Sequence, residues 1–428
     1  MNAAEAITQI LVAEGVRVAT GLTGGSVGYV ADALGTEPQI KLCYARQERV
    51  AVDICDGYAR VSGKPAVIFA DGGAGVANAM GGIVNSYGDS IPLIFLAGAY
   101  NRLRVPRRAR KELSIPDVFG SVSKWAASIV DPSQIEEVLR RAFVLLRSGR
   151  PGPVVLEIPN ELQLMEAPSI TYRPVEERFR SGGDPQAIES AVRALADAER
   201  PYVYVGAGVL FDEATQELVE LADLLTLPVA TTLNGKSAFP ENHPLSLGIG
   251  GFSRATYSTL HATRFAQDAD VVLTVGCGFK ENATEAPMPT GVRHIQVDID
   301  AFELHKETRA DVAILGNAKL VLRQMLDAAR ALLPASRLQP RTETLDRIER
   351  ARQQWLAFSE PLLTSDEDPI NPFRVTWEVT QLVDPDQAIV LHDAGSVRGS
   401  TCQHYIATTP RSFIGFGVES AMGWSLGA

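Results

Sequence analysis

The sequence predicts an α/β protein with three consecutive domains, each a doubly wound parallel β-sheet with helices on both faces. Short segments of almost wholly apolar residues alternate with longer helical patterns along the 428-residue chain. Apolar strands of this kind are typical of parallel sheets that are buried on both faces. Two polar segments that lack either pattern, at residues 171–184 and 334–340, look like linkers. We therefore expect the domains at residues 1–170, 184–333 and 345–428.

The first domain alternates helices and strands in chain order. Strands are predicted at residues 16–20, 40–45, 65–70, 93–98 and 153–159. Helices are predicted at residues 3–14, 76–87 and 134–148, and another begins where the second strand ends. This last helix has an apolar side at Val50, Ile54 and Tyr58, with Ala51, Cys55 and Ala59 alongside, and it stops at Gly63.

The second domain is predicted to have strands at residues 202–206, 228–232, 271–276 and 294–298. Gly206 and Gly276 close two of these strands at their carboxyl ends, where open α/β sheets receive ligands. Neither glycine completes a nucleotide-binding fingerprint, so we interpret both as structural turns.

The third domain is predicted to contain a helix at residues 373–383 and strands at 388–392 and 413–417. A further helix is expected to start at Ala421. The chain stops inside that helix, and we expect this domain to continue beyond Ala428.

Composition narrows the class of protein. Apolar residues make up 46% of the chain and charged residues 21%, which is ordinary for a soluble globular protein. The net charge of −11 is spread along the chain, and this argues against a nucleic-acid binder or a protein of anionic membranes. We find neither a membrane-spanning apolar run nor a signal peptide. The four scattered cysteines predict free thiols in the cytoplasm.

Glu48 lies where a strand turns into a helix, an edge at which functional residues are often found. A carboxylate in the first turn also complements the helix macrodipole, and position alone favours that simpler interpretation. Asp71 to Asn78 form a glycine-rich turn whose backbone N–H groups suit an anion or a close-packed cofactor. Asn78 replaces the third glycine of a dinucleotide fingerprint, so tight strand–helix packing is an equal alternative.

Together these segments resemble the thiamine-diphosphate-dependent enzymes of the acetolactate synthase and 2-oxoacid decarboxylase superfamily. The motifs that carry the resemblance are Arg46-Gln47-Glu48, Asp56 to Arg60, Gly73 to Asn78, Asp89 to Pro92 and Gly149 to Val154. They occur in the family's order at about its spacing, and the resemblance extends over essentially the whole chain. It implies a pyrimidine-binding domain, a central domain and the start of a diphosphate-binding domain.

The resemblance implies a role for Glu48 in catalysis, as the carboxyl group that donates to N1′ of the cofactor's aminopyrimidine. Gln47 stands beside it where many members have histidine, and we include it in the catalytic pair. Met422 matches the apolar wedge that bends the cofactor, and Ser420 matches a position whose backbone carbonyl accepts from its amino group. The other cofactor-binding residues that we expect are Gly24, Gly25, Gly73, Gly75, Asn78, Gly395 and Ser396.

The implied cofactors are thiamine diphosphate and Mg²⁺, with the metal ligands expected beyond Ala428 and none within this chain. Nothing in the central domain argues for FAD. The implied substrate is a 2-oxoacid, undergoing decarboxylation, carboligation or both. The family also implies a homodimer or homotetramer, with Glu48 acting at the subunit interface.

Two departures from the acetolactate synthases keep other functions open. Leu113-Ser114-Ile115 stand where those enzymes have Phe-Gln-Glu, and Gly98-Ala99 stand where they have Gly-Gln. One alternative is an enzyme of the same fold that acts on an acyl-CoA or another anionic substrate. Arg107 and Arg108 in the basic run 102–111, with Ser114, are the candidate substrate contacts. A second alternative is a non-catalytic or half-site subunit that needs another polypeptide for its metal site.

Overall fold

The computed structural model of the protein describes residues 1–101, 110–175, 179–252, 258–279, 288–419 and 421–428. The chain divides into a first unit, residues 1–179 with 416–428, and a second unit, residues 180–415. Each unit contains a six-stranded sheet in which all strand pairs are parallel. The predicted α/β class with parallel sheets is therefore confirmed. The three-domain division stays a prediction.

The sheet of the first unit has the strand order β2-β1-β3-β4-β6-β5. Its strands are β1 Val18–Gly21, β2 Lys41–Tyr44, β3 Ala66–Ala70, β4 Leu93–Ala99, β5 Trp125–Ser128 and β6 Val154–Pro159. The helices are α1 Ala3–Ala13, α2 Gly28–Thr36, α3 Glu48–Ser62, α4 Ala74–Gly88, α5 Ile115–Phe119, α6 Ile135–Arg147 and α7 Asn160–Gln163. Strands β3 and β4 are wholly buried, as expected for central strands covered on both faces.

The sheet of the second unit has the strand order β12-β11-β10-β7-β8-β9. Its strands are β7 Pro201–Val205, β8 Val229–Thr231, β9 Ser246–Ile249, β10 Val271–Val275, β11 Arg293–Asp298 and β12 Val312–Leu315. The helices are α8 Pro185–Asp197, α9 Gly208–Phe211, α10 Thr215–Leu225, α11 Leu260–Asp268, α12 Ala318–Leu332 and α13 Thr342–Leu363. Gly206 and Gly276 meet backbone to backbone, since a Cβ on Gly206 would lie 2.2 Å from the Gly276 oxygen.

The last elements are α14 Pro372–Leu382, β13 Val390–His392, α15 Ser396–His404 and β14 Phe413–Gly415 in the second unit, and α16 Trp424–Gly427 in the first. Strands β13 and β14 pair in parallel. The predicted start of the last helix at Ala421 was wrong. Gly423 has φ 84°, a left-handed conformation, so the regular helix begins only at Trp424.

Sequence patterns missed three of the four edge strands of the two six-stranded sheets, namely β5, β9 and β12. These strands are short, and β5 is only half-buried along its whole length, so it lacks the continuous apolar run that marks a central strand.

The buried side of α3 is one half of the predicted apolar side. Its small residues Ala51, Cys55 and Ala59 are buried. Val50 is 38% exposed, and Ile54 and Tyr58 are partly exposed. The helix can therefore lie close to the sheet and to α4 while its larger apolar residues form an outer stripe.

Helices α3 and α4 approach each other closely because α4 has glycine at the contact. A Cβ on Gly82 would lie 2.6 Å from the Cβ of Val52 on α3, well inside van der Waals contact. The neighbouring Gly81 faces more space, since a Cβ there would meet nothing nearer than 3.8 Å.

Two further findings concern the state of the cysteines and the length of the apolar helices. Cys43, Cys55, Cys277 and Cys402 are all free thiols, as predicted. Among the described residues, no helix is both long and apolar enough to cross a bilayer.

Gly82→Ala should lower the free energy of unfolding by about 1–3 kcal/mol, because the new methyl group would overlap Val52. Gly81→Ala is the matched control, and it should stabilise the protein by up to about 1 kcal/mol through helix propensity. Urea unfolding of the two variants checks this prediction. Equal effects of the two substitutions would contradict a tight contact at Gly82.

Stability should fall as the pH drops below about 6.5, because of four buried histidines in the second unit. Burial lowers the pKa of each side chain to about 4; the residues are His261, His294, His392 and His404. Since the pKa is higher in the unfolded chain, unfolding takes up protons between these two values. Between pH 7 and 5.5 each histidine should remove about 1 kcal/mol of stability.

Urea unfolding of the wild type and of His261→Asn at several pH values tests this sign. The free energy of unfolding should depend less steeply on pH in the variant than in the wild type. The difference in slope should correspond to about one proton fewer taken up on unfolding. A flat profile for the wild type between pH 7 and 5.5 would rule out the effect.

Candidate functional site

Glu48 is the first residue of α3, directly after the turn that follows β2. Gln47 caps this helix, because its side-chain oxygen accepts from the backbone N–H of Val50 at 3.2 Å. Gln47 is exposed and Glu48 is half-buried. The carboxyl group of Glu48 is thus held at a helix start but remains open to a ligand.

The carboxyl oxygens of Glu48 have different neighbours on α4. Asn78 Nδ2 donates to Glu48 Oε2 at 3.1 Å. Glu48 Oε1 faces Gly75, where a Cβ would come within 3.1 Å of that oxygen. One oxygen is therefore anchored by an amide, and the space beside the other exists only because residue 75 has no side chain.

Asp71 organises the glycine-rich turn between β3 and α4. Its Oδ1 accepts from the backbone N–H and the hydroxyl of Ser26, at 2.9 and 2.6 Å, and its Oδ2 accepts from Lys111 Nζ. Burial raises the pKa of Asp71, but the hydrogen bonds from Lys111 and Ser26 outweigh burial and hold it below its ordinary value. Asp71 is therefore a fixed negative charge at neutral pH.

Two further glycines pack around this carboxylate. A Cβ on Gly24 would lie 2.3 Å from Asp71 Cγ, and Gly73, with φ 74°, lies against Lys111. Gly25 has open space where its Cβ would be. The carboxyl ends of β1 and β3 thus bring Gly24, Gly73, Gly75 and Asn78 to the same edge of the sheet as Glu48.

Comparison with known proteins decides the family. Residues 1–118 match the N-terminal TPP binding domain of thiamine pyrophosphate enzymes, and residues 188–325 match their central domain. The chain belongs to the thiamine pyrophosphate enzymes. The predicted resemblance is confirmed, and thiamine diphosphate is the cofactor that the family implies.

Several relatives of this thiamine pyrophosphate enzyme align with nearly all of its chain. The probable acetolactate synthase large subunit of Methanocaldococcus jannaschii is 32% identical, over 100% of this chain and 72% of the relative. The large subunits of acetolactate synthase isozymes 3 and 1 of Escherichia coli are each 32% identical. These alignments cover 100% and 99% of this chain and 74% and 73% of the relatives.

The residues around Glu48 fit the aminopyrimidine end of thiamine diphosphate. The carboxyl group is partly exposed, and the glycine at 75 leaves room beside Oε1 for a flat ring. The chemistry of the donor set also fits, because a carboxyl group can hold a proton for a ring nitrogen. For the metal, the described residues contain no group of three or more His, Cys, Asp or Glu side chains that could hold an ion.

Met422 and Gly395 lie in different units. Met422 belongs to the first unit, its side chain is 70% exposed, and its carbonyl oxygen accepts from Arg49 Nη2 at 2.7 Å. Gly395 belongs to the second unit and precedes α15, which begins at Ser396. Its φ of 105° requires glycine, and no atom lies within 4 Å of the position of its missing Cβ. This open helix start suits a phosphate group.

Three other predicted residues, Ser420, Arg107 and Arg108, lie outside the described residues. Lys111, from the same basic run as the arginines, pairs with Asp71. Ser114 is exposed just before α5, and its hydroxyl donates to Asp117 Oδ2 at 2.5 Å. Four of the run's six basic residues thus lie outside the described residues, and the charge of Lys111 is paired with that of Asp71.

Sequence reasoning missed Ser26 and Arg49 as parts of this site, and it placed Lys111 only in a basic run for an anionic substrate. Asp71 directly follows a buried strand, a position at which polar residues often belong to a ligand site. This position is the one signal in the sequence that marks the neighbourhood of Asp71 as part of the site. No local pattern identified its partners.

Gly75→Ala should weaken binding of thiamine diphosphate at least about tenfold, since the new methyl group would occupy the space in front of Glu48 Oε1. Gly28→Ala is the control, because no atom lies within 4 Å of its missing Cβ. Titration of each variant with cofactor and Mg²⁺ measures the affinities. Wild-type affinity in Gly75→Ala would show that the ring does not use this space.

Proposed function

We propose that this thiamine pyrophosphate enzyme decarboxylates a 2-oxoacid and can join the remaining fragment to a second carbonyl compound, as an acetolactate synthase-like enzyme. The observation that carries the proposal is the accessible Glu48 carboxyl group between Asn78 and the open face at Gly75. The names of the relatives support the reaction class, since they are acetolactate synthases.

Glu48 would act by holding a proton and donating it to N1′ of the aminopyrimidine. When bound, thiamine diphosphate supplies the nucleophilic carbon and the electron sink that loss of carbon dioxide from a 2-oxoacid requires. Asn78 would keep Oε2 of Glu48 engaged, so that Oε1 remains directed at the open face. Gln47 would hold the carboxylate in place by capping α3.

The remaining predicted residues take supporting roles in this proposal. Gly24, Gly25 and Gly73 would allow close approach of the cofactor to the backbone, and Met422 would support the bend between its rings. Gly395 and the start of α15 would bind the diphosphate, together with Mg²⁺, for which we name no ligand in this chain. Residues 1–170, 184–333 and 345–428 would be the pyrimidine-binding, central and diphosphate-binding domains.

We also propose that the protein is a cytoplasmic homodimer or homotetramer with its active site at a subunit interface. The outer stripe of α3 supports this arrangement, because it begins beside Glu48 with the 38% exposed Val50. Tyr44, at the end of the preceding strand, is 60% exposed. Apolar residues next to a catalytic group are typical of a surface that another chain covers. The free thiols agree with a reducing compartment.

Glu48→Gln should lower turnover by about 10²- to 10⁴-fold, because the amide cannot transfer a proton to N1′. Release of carbon dioxide from a panel of 2-oxoacids measures the effect and identifies the substrate. Glu37→Gln, which changes another partly buried acid of the same domain, should retain activity. Full turnover in Glu48→Gln would overturn the proposal.

A further inference from the structure

Lys111 brings an ammonium group to the edge of the sheet at which Glu48 lies. Its side chain lies against the glycine-rich turn, since a Cβ on Gly73 would be 3.2 to 3.4 Å from Cα, Cβ and Cγ of Lys111. The ammonium group donates to Asp71 Oδ2. Asp71 in turn borders the open face at Gly75, where a Cβ would lie 3.6 Å from Asp71 Cβ and 3.1 Å from Glu48 Oε1. The ion pair and the Glu48 carboxyl group therefore border the same part of the site.

Asp71 is the fixed member of this ion pair. Its Oδ1 accepts from the backbone N–H and the hydroxyl of Ser26, at 2.9 and 2.6 Å. Ser26 is fully buried, and its hydroxyl also accepts from the backbone N–H of Gly72 at 2.7 Å. The carbonyl of Ser26 accepts from Nε2 of the fully buried Gln163 at 2.7 Å. The carboxylate is thus tied to a buried network, and it stays in place when a ligand binds.

Lys111 is the adaptable member of the pair. Its ammonium group has three N–H donors, and among the described residues its one acceptor is Asp71 Oδ2, so two donors remain for a ligand. The side chain is 23% exposed, which leaves it open to a small molecule. Lys111 also has φ 65°, a left-handed conformation that a residue with a Cβ keeps only where its surroundings hold it. The lysine is therefore held beside the site with unused hydrogen-bonding capacity.

The charges of the pair favour a carboxylate as the ligand. An ammonium group binds carboxylates through charge-assisted hydrogen bonds, which are roughly twice as strong as neutral ones. The charge of Asp71 is shared among donors from Ser26 and Lys111, so Asp71 compensates the lysine charge only in part. A substrate carboxylate can therefore share the ammonium group with Asp71.

The chemistry of the reaction decides which substrate carboxylate Lys111 binds. When a fragment is joined to a second 2-oxoacid, the carboxylate of that acceptor stays in the product, whereas the first 2-oxoacid loses its own as carbon dioxide. A cation on the departing carboxylate would stabilise the substrate more than the transition state, and would slow the reaction. A cation on the acceptor carboxylate has no such cost, because the charge of that group does not change.

We propose that Lys111, held by Asp71, determines acceptor specificity by binding the carboxylate of a second 2-oxoacid. The inference rests on the proposed function, in which a fragment of one 2-oxoacid is joined to a second carbonyl compound. Lys111, Asp71 and Glu48 all belong to the first unit. Their arrangement is therefore the same whichever subunit supplies the rest of the cofactor site.

Competition between a charged and a neutral acceptor tests the proposal in the full protein, loaded with thiamine diphosphate and Mg²⁺. The acceptors are 2-oxobutanoate and propanal, which differ only by the carboxylate, and mass spectrometry gives the ratio of the two products. Lys111→Met keeps an unbranched side chain against Gly73 but removes the charge, and it should lower the preference for 2-oxobutanoate at least about tenfold. Lys111→Arg, which keeps a cation, should retain most of the preference. Lys64→Met, a change of an exposed lysine in the same unit, is the control.

Protection of the Lys111 side chain gives a readout that does not depend on turnover. The protein is loaded with Mg²⁺ and a thiamine diphosphate analogue that carries oxygen at C2 and cannot react. 2-Acetolactate, a carboligation product that contains the acceptor carboxylate, should slow acetylation of Lys111 severalfold, as measured by mass spectrometry of its peptide. Acetoin, which is the same molecule without the carboxylate, should give no protection. Lys64 should react equally in all samples.

The remaining outcomes contradict the inference or the proposed function separately. An unchanged product ratio in Lys111→Met would overturn the inference, and so would equal protection by 2-acetolactate and acetoin. Equal losses of turnover with both acceptors, or a Lys111→Arg variant as unselective as Lys111→Met, would make Lys111 merely structural and overturn it as well. Absence of carbon dioxide release from every 2-oxoacid would instead overturn the proposed function.

Discussion

The close contact between α3 and α4 is the constraint on which the site around Glu48 depends. Gly82 allows the backbone of α4 to approach Val52 on α3. This approach brings the first turn of α4, with Gly75 and Asn78, against the first turn of α3. A side chain at residue 82 would separate the helices, and Asn78 Nδ2 would then lose its 3.1 Å contact with Glu48.

A second constraint comes from buried charge on the same helix. Asp56 and Arg60 are one turn apart on α3, and a buried ion is tolerated only when its partners satisfy it. Ser86 on α4 donates to Asp56 Oδ2 at 2.6 Å, and Trp424 donates to Oδ1 at 3.1 Å. The cluster therefore holds α3, α4 and the C-terminal segment together. Helix α3 has the Glu48 carboxyl group at its start and this buried cluster in its second half.

Local patterns predicted most of the fold because a central parallel strand and an amphipathic helix are each recognisable within a few residues. Local patterns failed where a strand lacked a clear apolar run, or where both buried and exposed residues of a helix were apolar. Edge strands such as β5 have no continuous apolar run, and Val50 is exposed although it belongs to an apolar stripe. Within the site, Glu48 was identifiable from its position and its motif, but Lys111 gave no local sign of its pairing with Asp71.

The sequence alone determined the parallel α/β class, the helix start at Glu48 and the glycine-rich turn, since these follow from side-chain periodicity and backbone freedom. Only the tertiary structure decided which groups meet there. Asn78 and Glu48 are 30 residues apart, Lys111 and Asp71 are 40 apart, and Met422 and Arg49 are 373 apart. Such contacts depend on how closely helices pack and on which buried charges must be paired, and neither property is encoded in a short stretch of chain.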